Sequence, residues 1–229
     1  VYIIMKKSRS NLCFIAFVII IISHLHLLPL ALAPERWVSG EGVVVEEVDA
    51  LVQLKAGFNN PNGLSSGSSS GSASPNPCRD RWAGVTCKHD AASSSDHVIQ
   101  ISLPGLFKDP AAAAAAAIPG GQSIISPSIK DLPYLEWLDL SNNNLIGHIP
   151  TEITHLKYLK ALDLSRNNLS GPLPKIWTNF TQLQNVSLYK NQLGGEIPVL
   201  LSQATNIENL RLEQNQLTGQ IPPGLLGGN

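Results

Sequence analysis

The sequence predicts an α/β repeat fold, a solenoid in which every repeat adds one short strand to a parallel sheet. The first observation is a fixed period: asparagine, glycine and proline each recur four times at a spacing of 24 residues within residues 132–229. The second is a pair of apolar residues before each asparagine, such as Leu138 and Leu140, which point to the same side of a strand. One such repeat cannot bury its apolar side alone, whereas stacked repeats can. The strands are therefore expected to lie in parallel, about 4.8 Å apart.

The repeats at 132–155, 156–179, 180–203 and 204–227 share the pattern L-x-x-L-x-L-x-x-N-x-L-x-G-x-I-P. This pattern resembles the leucine-rich repeat of plant extracellular proteins. The resemblance implies a right-handed leucine-rich-repeat solenoid, with short parallel β-strands on its concave face and 3-10 or loop segments on its convex face. A side-chain amide both donates and accepts hydrogen bonds, so it can satisfy backbone groups that a turn leaves open. We therefore expect a buried structural ladder formed by Asn143, Asn167, Asn191 and Asn215.

Residues 1–33 have the features of a secretory signal peptide, with residues 1–4 interpreted as upstream read-through before the first methionine. Basic residues precede an apolar run at 12–22, and a small-x-small cleavage motif ends at Ala33. The alternative is an uncleaved membrane anchor, but His24 interrupts the run well short of the roughly 20 apolar residues that a span requires. The chain is therefore expected in the secretory pathway, and finally in the extracellular or cell wall space or at the plasma membrane.

The charge of the chain limits the classes of partner, and its cysteine count predicts a disulfide. The chain has 16 basic and 17 acidic residues, and three of the basic ones lie in the signal peptide, so the mature chain is weakly acidic. Nucleic-acid-binding proteins have a basic surface, so we expect no nucleic-acid partner, and a membrane link only through further C-terminal sequence. Cys78 and Cys87 remain after the signal peptide, and an even cysteine count in a secreted chain predicts a disulfide.

Residues 34–96 are interpreted as an N-terminal cap, which a solenoid needs to cover the core of its first repeat. Apolar residues at helical spacing predict a helix at 46–58, and a Ser/Gly-rich loop follows at 65–74. The motif W-x-G-V-x-C ends at Cys87 and resembles the N-terminal cap of plant leucine-rich-repeat proteins. The resemblance implies a helical cap that is closed by a Cys78–Cys87 disulfide.

Residues 97–131 predict a degenerate first repeat, with Val98, Ile101 and Leu103 as core residues. An alanine-rich insertion follows, and the 24-residue register recovers before the first regular repeat. The insertion is therefore expected to loop out of the solenoid. The regular repeats end without a C-terminal cap, so the chain is interpreted as a fragment of a longer protein.

No motif in the sequence indicates catalysis, a cofactor or a metal. The strongest metal candidate combines Cys78, Cys87, His89 and His97, but the spacing of the cysteines and the secretory route both oppose a zinc site. The histidines form no H-x-x-x-H pair, no glycine-rich phosphate loop follows a strand, and G-x-S-x-G is absent. We expect no enzyme activity within these residues; a kinase domain would lie in further C-terminal sequence.

The resemblance implies two classes of function. The first is recognition of a peptide or protein by the ectodomain of a plant receptor-like kinase or receptor-like protein, in developmental or defence signalling, with a co-receptor ectodomain as a second partner. The alternative is a secreted defence protein of the polygalacturonase-inhibitor kind, which blocks a microbial wall-degrading enzyme. An apolar span and kinase motifs in the full-length transcript would favour the receptor, and a stop codon after further repeats would favour the inhibitor.

A recognition surface is predicted at the exposed strand positions of the concave face. Trp137 and Tyr189 are aromatic residues of the type enriched at binding hot spots. Arg166 and Lys190 stand on neighbouring repeats, where two like charges repel unless an anion lies between them. Either this pair receives an acidic group of a ligand, or nearby carboxylates screen the pair and nothing binds. The candidate ligand-binding residues are Trp137, Asp139, Asp163, Arg166, Tyr189, Lys190, Arg211 and Glu213, with Asp163 and Glu213 as the screening carboxylates.

Three N-x-S/T sequons predict N-glycosylation, at Asn168, Asn179 and Asn185. Asn168 follows a ladder asparagine and is expected to point outward, and Asn179 lies at the edge of a repeat. Asn185 is expected beside a strand on the concave face, where a glycan would cover part of the predicted recognition surface.

Overall fold

The computed structural model describes residues 42–57, 76–105 and 124–225, and it confirms the predicted leucine-rich-repeat solenoid. The signal peptide, the Ser/Gly-rich loop and most of the alanine-rich insertion lie outside the described residues. Within the three described ranges, no helix has the length and apolar character needed to cross a membrane.

Two sheets of short strands run along the solenoid. In the part of the chain that the structure describes, the concave sheet has seven strands in the order β1-β3-β4-β6-β8-β10, and β2 pairs with β3. The second sheet has four strands in the same part, in the order β5-β7-β9-β11. The elements in chain order are β1 (Gly42–Val43), α1 (Val45–Gly57), β2 (Val85–Asp90), β3 (Ser95–Ser102), β4 (Trp137–Asp139), β5 (Ile146–Gly147), β6 (Ala161–Asp163), β7 (Asn168–Pro172), β8 (Asn185–Ser187), β9 (Gln192–Glu196), β10 (Asn209–Arg211) and β11 (Gln216–Thr218).

The concave sheet stacks equivalent repeat positions directly beside one another. Leu138 of β4 pairs in parallel with Leu162 of β6, which pairs with Val186 of β8. All three side chains are buried, at most 2% exposed, because alternate strand residues point into the core. Burial of one such side chain stabilises the fold by about 1.5–3 kcal/mol, so this column alone accounts for several kcal/mol.

The first repeat joins the sheet despite its insertion. Ile101 of β3 pairs with Leu138 of β4, although the two residues are 37 positions apart in the sequence. Val98, Ile101 and Leu103 are buried in the same core. Among the strands of the described ranges, only β2 and β3 pair in an antiparallel manner, which makes them a hairpin between the cap and the first repeat.

The second sheet is a feature that the sequence analysis did not predict. Its strands follow the ladder asparagines, and Gly147, Gly171, Gly195 and Gly219 have φ between 76° and 78°. Glycine adopts this left-handed conformation readily because it has no Cβ, and the conformation turns the chain within or after each strand of the second sheet. The strands β7 and β9 extend through Gly171 and Gly195.

The convex side combines 3-10 helices with one irregular segment. The 3-10 helices are Pro127–Asp131, Thr151–His155 and Val199–Gln203, and each places one apolar side chain in the core. At the corresponding place after β7 there is no helix; Trp177 is buried there and donates a hydrogen bond of 2.6 Å from Nε1 to the carbonyl oxygen of Pro174. Trp177 stands 24 residues from Ile153 and from Leu201, so it supplies the buried apolar side chain that the 3-10 helices supply in those repeats.

The cap closes the N-terminal end of the core. Leu51 and Leu54 of α1 are buried in the same cluster as the first repeats, and Trp82 joins them. Cys78 and Cys87 form the predicted disulfide, with their Cα atoms 5.6 Å apart. In the chain-entropy model a loop of this size stabilises the fold by roughly 2–3 kcal/mol.

Candidate functional site

Three of the predicted recognition residues, Trp137, Asp139 and Asp163, lie on the concave strands β4 and β6. Trp137 is 47% exposed on β4, and the adjacent Ala161 of β6 is buried. Asp139 and Asp163 are partly exposed and face each other across the same strand pair. In each aspartate Oδ1 accepts a 2.9 Å hydrogen bond from the backbone N–H two residues later. These bonds hold the carboxylates at the end of the strand.

Arg166 and Lys190 occupy a different place from the predicted strand positions. Both lie in the turn after the three-residue strands, with φ of 56° and 57°. The backbone ladder continues this far, since the Arg166 N–H donates to the carbonyl oxygen of Tyr189 at 2.9 Å. A left-handed residue then turns the chain inward, so that the next asparagine enters the core. Both cations therefore stand on the rim of the concave face rather than on its floor.

Tyr189 is the centre of a cationic cluster. The guanidinium of Arg166 lies 5.2 Å from the centre of the Tyr189 ring, and its Nε donates a hydrogen bond to the Tyr189 hydroxyl. The guanidinium of Arg211 lies 4.3 Å from the same ring centre. A cation over an aromatic face is stabilised by about 0.5–1 kcal/mol at an exposed site. Tyr189 thus fixes the positions of two arginines from neighbouring repeats.

Glu213 pairs with only one of these cations. Its Oε1 accepts hydrogen bonds from Nε and an Nη of Arg211, at 2.8 and 2.6 Å. The pKa of Glu213 is lowered, chiefly by a hydrogen bond from its own backbone N–H and also by Arg211. Among the described residues, neither Arg166 nor Lys190 forms an ion pair. The carboxylates of Asp163 and Glu213 therefore form no ion pair with Arg166 or Lys190, although direct screening would require one.

Each of the asparagines Asn167, Asn191 and Asn215 links its own repeat to the preceding one. Oδ1 of Asn167 accepts from the backbone N–H groups of Asn143 and Leu145, at 2.9 and 3.0 Å. Its Nδ2 donates to the carbonyl oxygens of Leu140 and Leu164, at 3.0 and 2.9 Å. The bonds with the leucines recur one and two repeats later through Asn191 and Asn215, and Nδ2 of Asn143 donates to Leu103 at 2.7 Å.

The three sequon asparagines are exposed but lie on different surfaces. Asn168 begins β7 of the second sheet, and Asn179 lies in the turn before Phe180. Asn185 lies on β8 of the concave sheet, where its Oδ1 accepts a 2.8 Å hydrogen bond from Nδ2 of Asn209. Of the three, only Asn185 is next to the recognition residues.

The cap residues that were considered as zinc ligands have other partners in the structure. Cys78 and Cys87 are bonded to each other, and Nδ1 of His89 contacts Asp96 at 2.9 Å. No group of three or more His, Cys, Asp or Glu side chains within the described ranges could hold a metal ion.

The cap contains a buried polar network that the sequence analysis did not predict. Glu47 is 1% exposed; its Oε1 lies 2.7 Å from Nδ1 of His97, and its Oε2 accepts from the Val98 N–H at 2.7 Å. Nε2 of His97 lies 3.3 Å from Ser95 Oγ. Burial raises the pKa of Glu47, although the hydrogen bonds from Val98 and His97 oppose it. The pair joins α1 to β3 across 50 positions, a separation that no local pattern indicates.

Comparison with known proteins assigns the family. A model described as a leucine rich repeat N-terminal domain matches residues 45–88, and leucine rich repeat models match 123–169 and 206–227. A chain of the BIR3–SERK2 complex from Arabidopsis thaliana is 30% identical, with a TM-score of 0.57 and coverage of 78% of this chain and 87% of that chain. The chain belongs to the plant extracellular leucine-rich-repeat family with the plant-type N-terminal cap.

Other members of this family are similar to the chain along most of its length. The leucine-rich-repeat ectodomain of the receptor kinase SOBIR1 from Arabidopsis thaliana is 25% identical, with a TM-score of 0.59 and coverage of 82% of this chain and 89% of that chain. A plant ice-binding protein is 34% identical, with a TM-score of 0.62 and coverage of 80% and 52%. No curated protein sequence matches the chain.

Proposed function

We propose that this leucine-rich-repeat protein is the extracellular recognition part of a plant receptor-like kinase or receptor-like protein, and that it binds a peptide or protein ligand on its concave face. One observation carries the proposal. Two exposed cations on adjacent repeats, Arg166 and Lys190, form no ion pair among the described residues, and Tyr189 fixes the first of them. An acidic group of a ligand would relieve their mutual repulsion.

The exposed aromatic residues would supply the apolar part of the contact. Trp137 is 47% exposed on the strand β4, and Tyr189 is partly exposed two repeats later. Indole and phenol rings are enriched at hot spots because they bury much area with few rotatable bonds. The ligand would thus contact Trp137 at one end and the cations at the other.

A co-receptor ectodomain is the proposed second partner, with signalling in development or defence as the context. Support comes from similarity to a chain of a complex between BIR3 and SERK2 and to the ectodomain of the receptor kinase SOBIR1. A connection to the plasma membrane would pass through sequence beyond residue 229.

The test is an interaction screen of the secreted chain against libraries of secreted plant peptides and receptor ectodomains. For each ligand found, Arg166→Glu with Lys190→Glu should weaken binding strongly and flatten its salt dependence. The matched control is Lys130→Glu with Lys175→Glu, which makes the same charge change at exposed residues away from the concave sheet. Unchanged affinity in the first pair, or equal loss in both pairs, would place the site elsewhere.

A freestanding secreted protein, including an inhibitor of a microbial wall-degrading enzyme, is the second candidate. The observation in its favour is the 34% identity to a plant ice-binding protein, whose description is not that of a receptor. The full-length transcript separates the two. An apolar stretch of about 20 residues followed by kinase motifs favours the receptor, and a stop codon after further repeats favours the freestanding protein.

A further inference from the structure

Charge is divided between two regions of the concave face. Asp139 and Asp163 are directly paired in register on β4 and β6. Arg166 and Lys190 occupy equivalent turns after β6 and β8. Each region thus holds two like charges on adjacent repeats, and the acidic region lies nearer the cap.

Neither region is neutralised within the protein. The other charged residues close to them form their own pairs: Nζ of Lys160 contacts Glu136 at 2.5 Å, and Arg211 contacts Glu213 at 2.6 Å. Asp139 and Asp163 accept only backbone hydrogen bonds, and no basic side chain in the described ranges pairs with either. These internal pairs leave the two aspartates, Arg166 and Lys190 without an ion-pair partner among the described residues.

The two regions are separated by a distance that an extended peptide can span. Neighbouring repeats are about 4.8 Å apart, and three residues of extended chain, the step from Asp163 to Arg166, cover roughly 10 Å. The centres of the two regions are therefore on the order of 11 Å apart along a diagonal. An extended ligand covers this distance in three to four residues.

Like charges directly opposite each other in a sheet destabilise it, so each region gains from an opposite charge. A ligand with a basic group and an acidic group would satisfy both regions in one orientation, whereas the reversed ligand would oppose like charges at both. Charge complementarity of this kind fixes orientation and excludes wrong partners.

We infer that the concave face selects extended peptides by the spacing of their charges, with a basic residue on Asp139 and Asp163 and an acidic residue or terminal carboxylate, three to four positions away, at Arg166 and Lys190. The inference rests on the proposed function, because it assumes that the concave face binds a peptide. It adds the spacing of the two charges of the ligand and the region that each of them occupies.

The experiment is selection from a phage-displayed library of random 12-residue peptides on the full secreted chain and its variants. The variants are Asp139→Lys with Asp163→Lys, Arg166→Glu with Lys190→Glu, and all four changes together. A convex-side control, Glu152→Lys with Lys175→Glu, carries one reversal of each sign at residues away from the concave sheet. Selected peptides are then synthesised in forward order and with their two charged residues exchanged.

Peptides selected on the unchanged chain should carry a basic and an acidic residue at the stated spacing. Exchange of the two within a selected peptide should weaken its binding about tenfold or more, because the other residues of that peptide fix its chain direction. The fourfold variant should prefer the exchanged peptides, and the control should prefer the original ones. Peptides that bind equally well after the exchange, while concave substitutions still abolish binding, would overturn the inference and leave the proposed function standing. No enrichment, or binding indifferent to every concave substitution, would overturn both.

Discussion

At the scale of single residues, a side chain's place in the repeat decides its role more than its chemical type does. Asn167 and Asn168 are adjacent in the sequence, yet Asn167 is buried with its amide hydrogen-bonded across repeats, and Asn168 is exposed on β7. The difference follows from the left-handed Arg166 before them, which turns the chain so that the next side chain enters the core. The same side-chain amide thus satisfies buried backbone groups at Asn167 and faces solvent at Asn168.

The pair provides a matched test of the ladder. Asn167→Ala removes the acceptor of the Asn143 and Leu145 N–H groups, and each unpaired buried donor costs about 1–3 kcal/mol. We expect a loss of roughly 2–5 kcal/mol in the free energy of unfolding. Asn168→Ala keeps its backbone hydrogen bond to Leu145 and should change stability by less than about 0.5 kcal/mol. Chemical denaturation of both variants checks this, and equal losses would contradict a structural ladder.

At the scale of elements, the second sheet depends on backbone conformation that the sequence pattern left ambiguous. Gly194 and Gly195 are neighbours in β9, but only Gly195 has a positive φ, of 76°. A Cβ at Gly195 would have room, with Pro172 Cβ at 3.7 Å, so strain rather than collision opposes a side chain there. A Cβ at Gly194 would meet the carbonyl oxygen of Gln216 at 3.8 Å, an ordinary contact.

Alanine at these two positions separates conformation from packing. Gly195→Ala should destabilise the protein by about 1–2 kcal/mol, the cost of a left-handed residue with a Cβ. Gly194→Ala should be neutral or slightly stabilising, because it reduces the conformational freedom of the unfolded chain. Thermal unfolding of both variants measures the difference. A larger loss in Gly194→Ala would show that packing, not backbone conformation, determines the strand.

The link between the cap helix and the first strand should depend on pH. Burial raises the pKa of Glu47 above its ordinary value of 4.5, with His97 and Glu46 as the charged groups that face it. Between 4.5 and the raised pKa, the folded state binds more protons at Glu47 than the unfolded state does. The contribution of Glu47 to stability is therefore present below 4.5 and falls as the pH rises through the raised pKa.

Glu47→Gln isolates this contribution, because the amide resembles the protonated carboxyl. The free energy of unfolding of the original chain minus that of the variant should decrease from pH 4 to pH 7. Urea denaturation at a series of pH values measures it. A difference that increases with pH would mean that His97 and Val98 stabilise the ionised carboxylate more than burial penalises it.

At the scale of the whole molecule, periodicity made the solenoid predictable and long-range contacts limited what else could be predicted. The 24-residue period was enough to place Leu138, Leu162 and Val186 in one buried column. The second sheet was missed because x-L-x-G-x is compatible with a bend as well as a strand. The pairing of Glu47 with His97 was missed because no local sequence pattern connects one glutamate with one histidine 50 positions away. The cationic cluster was predicted only as nearby charges, since rotamers decide that Arg166 contacts Tyr189.

The three sequons test which surface of the whole molecule is left free for a partner. Asn168 lies on the second sheet, and Asn179 lies in the turn before Phe180. Both are exposed away from the concave sheet, so we expect glycans at both. Asn185 stands on β8, between β6 and β10, and a glycan there would cover Tyr189 and its arginines. We expect Asn185 to be unmodified, with its side chain bonded to Asn209. Glycopeptide mass spectrometry of the protein secreted from plant cells measures the occupancy of each site. Full occupancy of Asn185 in protein that still binds its ligand would move the recognition surface away from the concave face, because a branched glycan at the centre of the sheet leaves no room for an extended peptide.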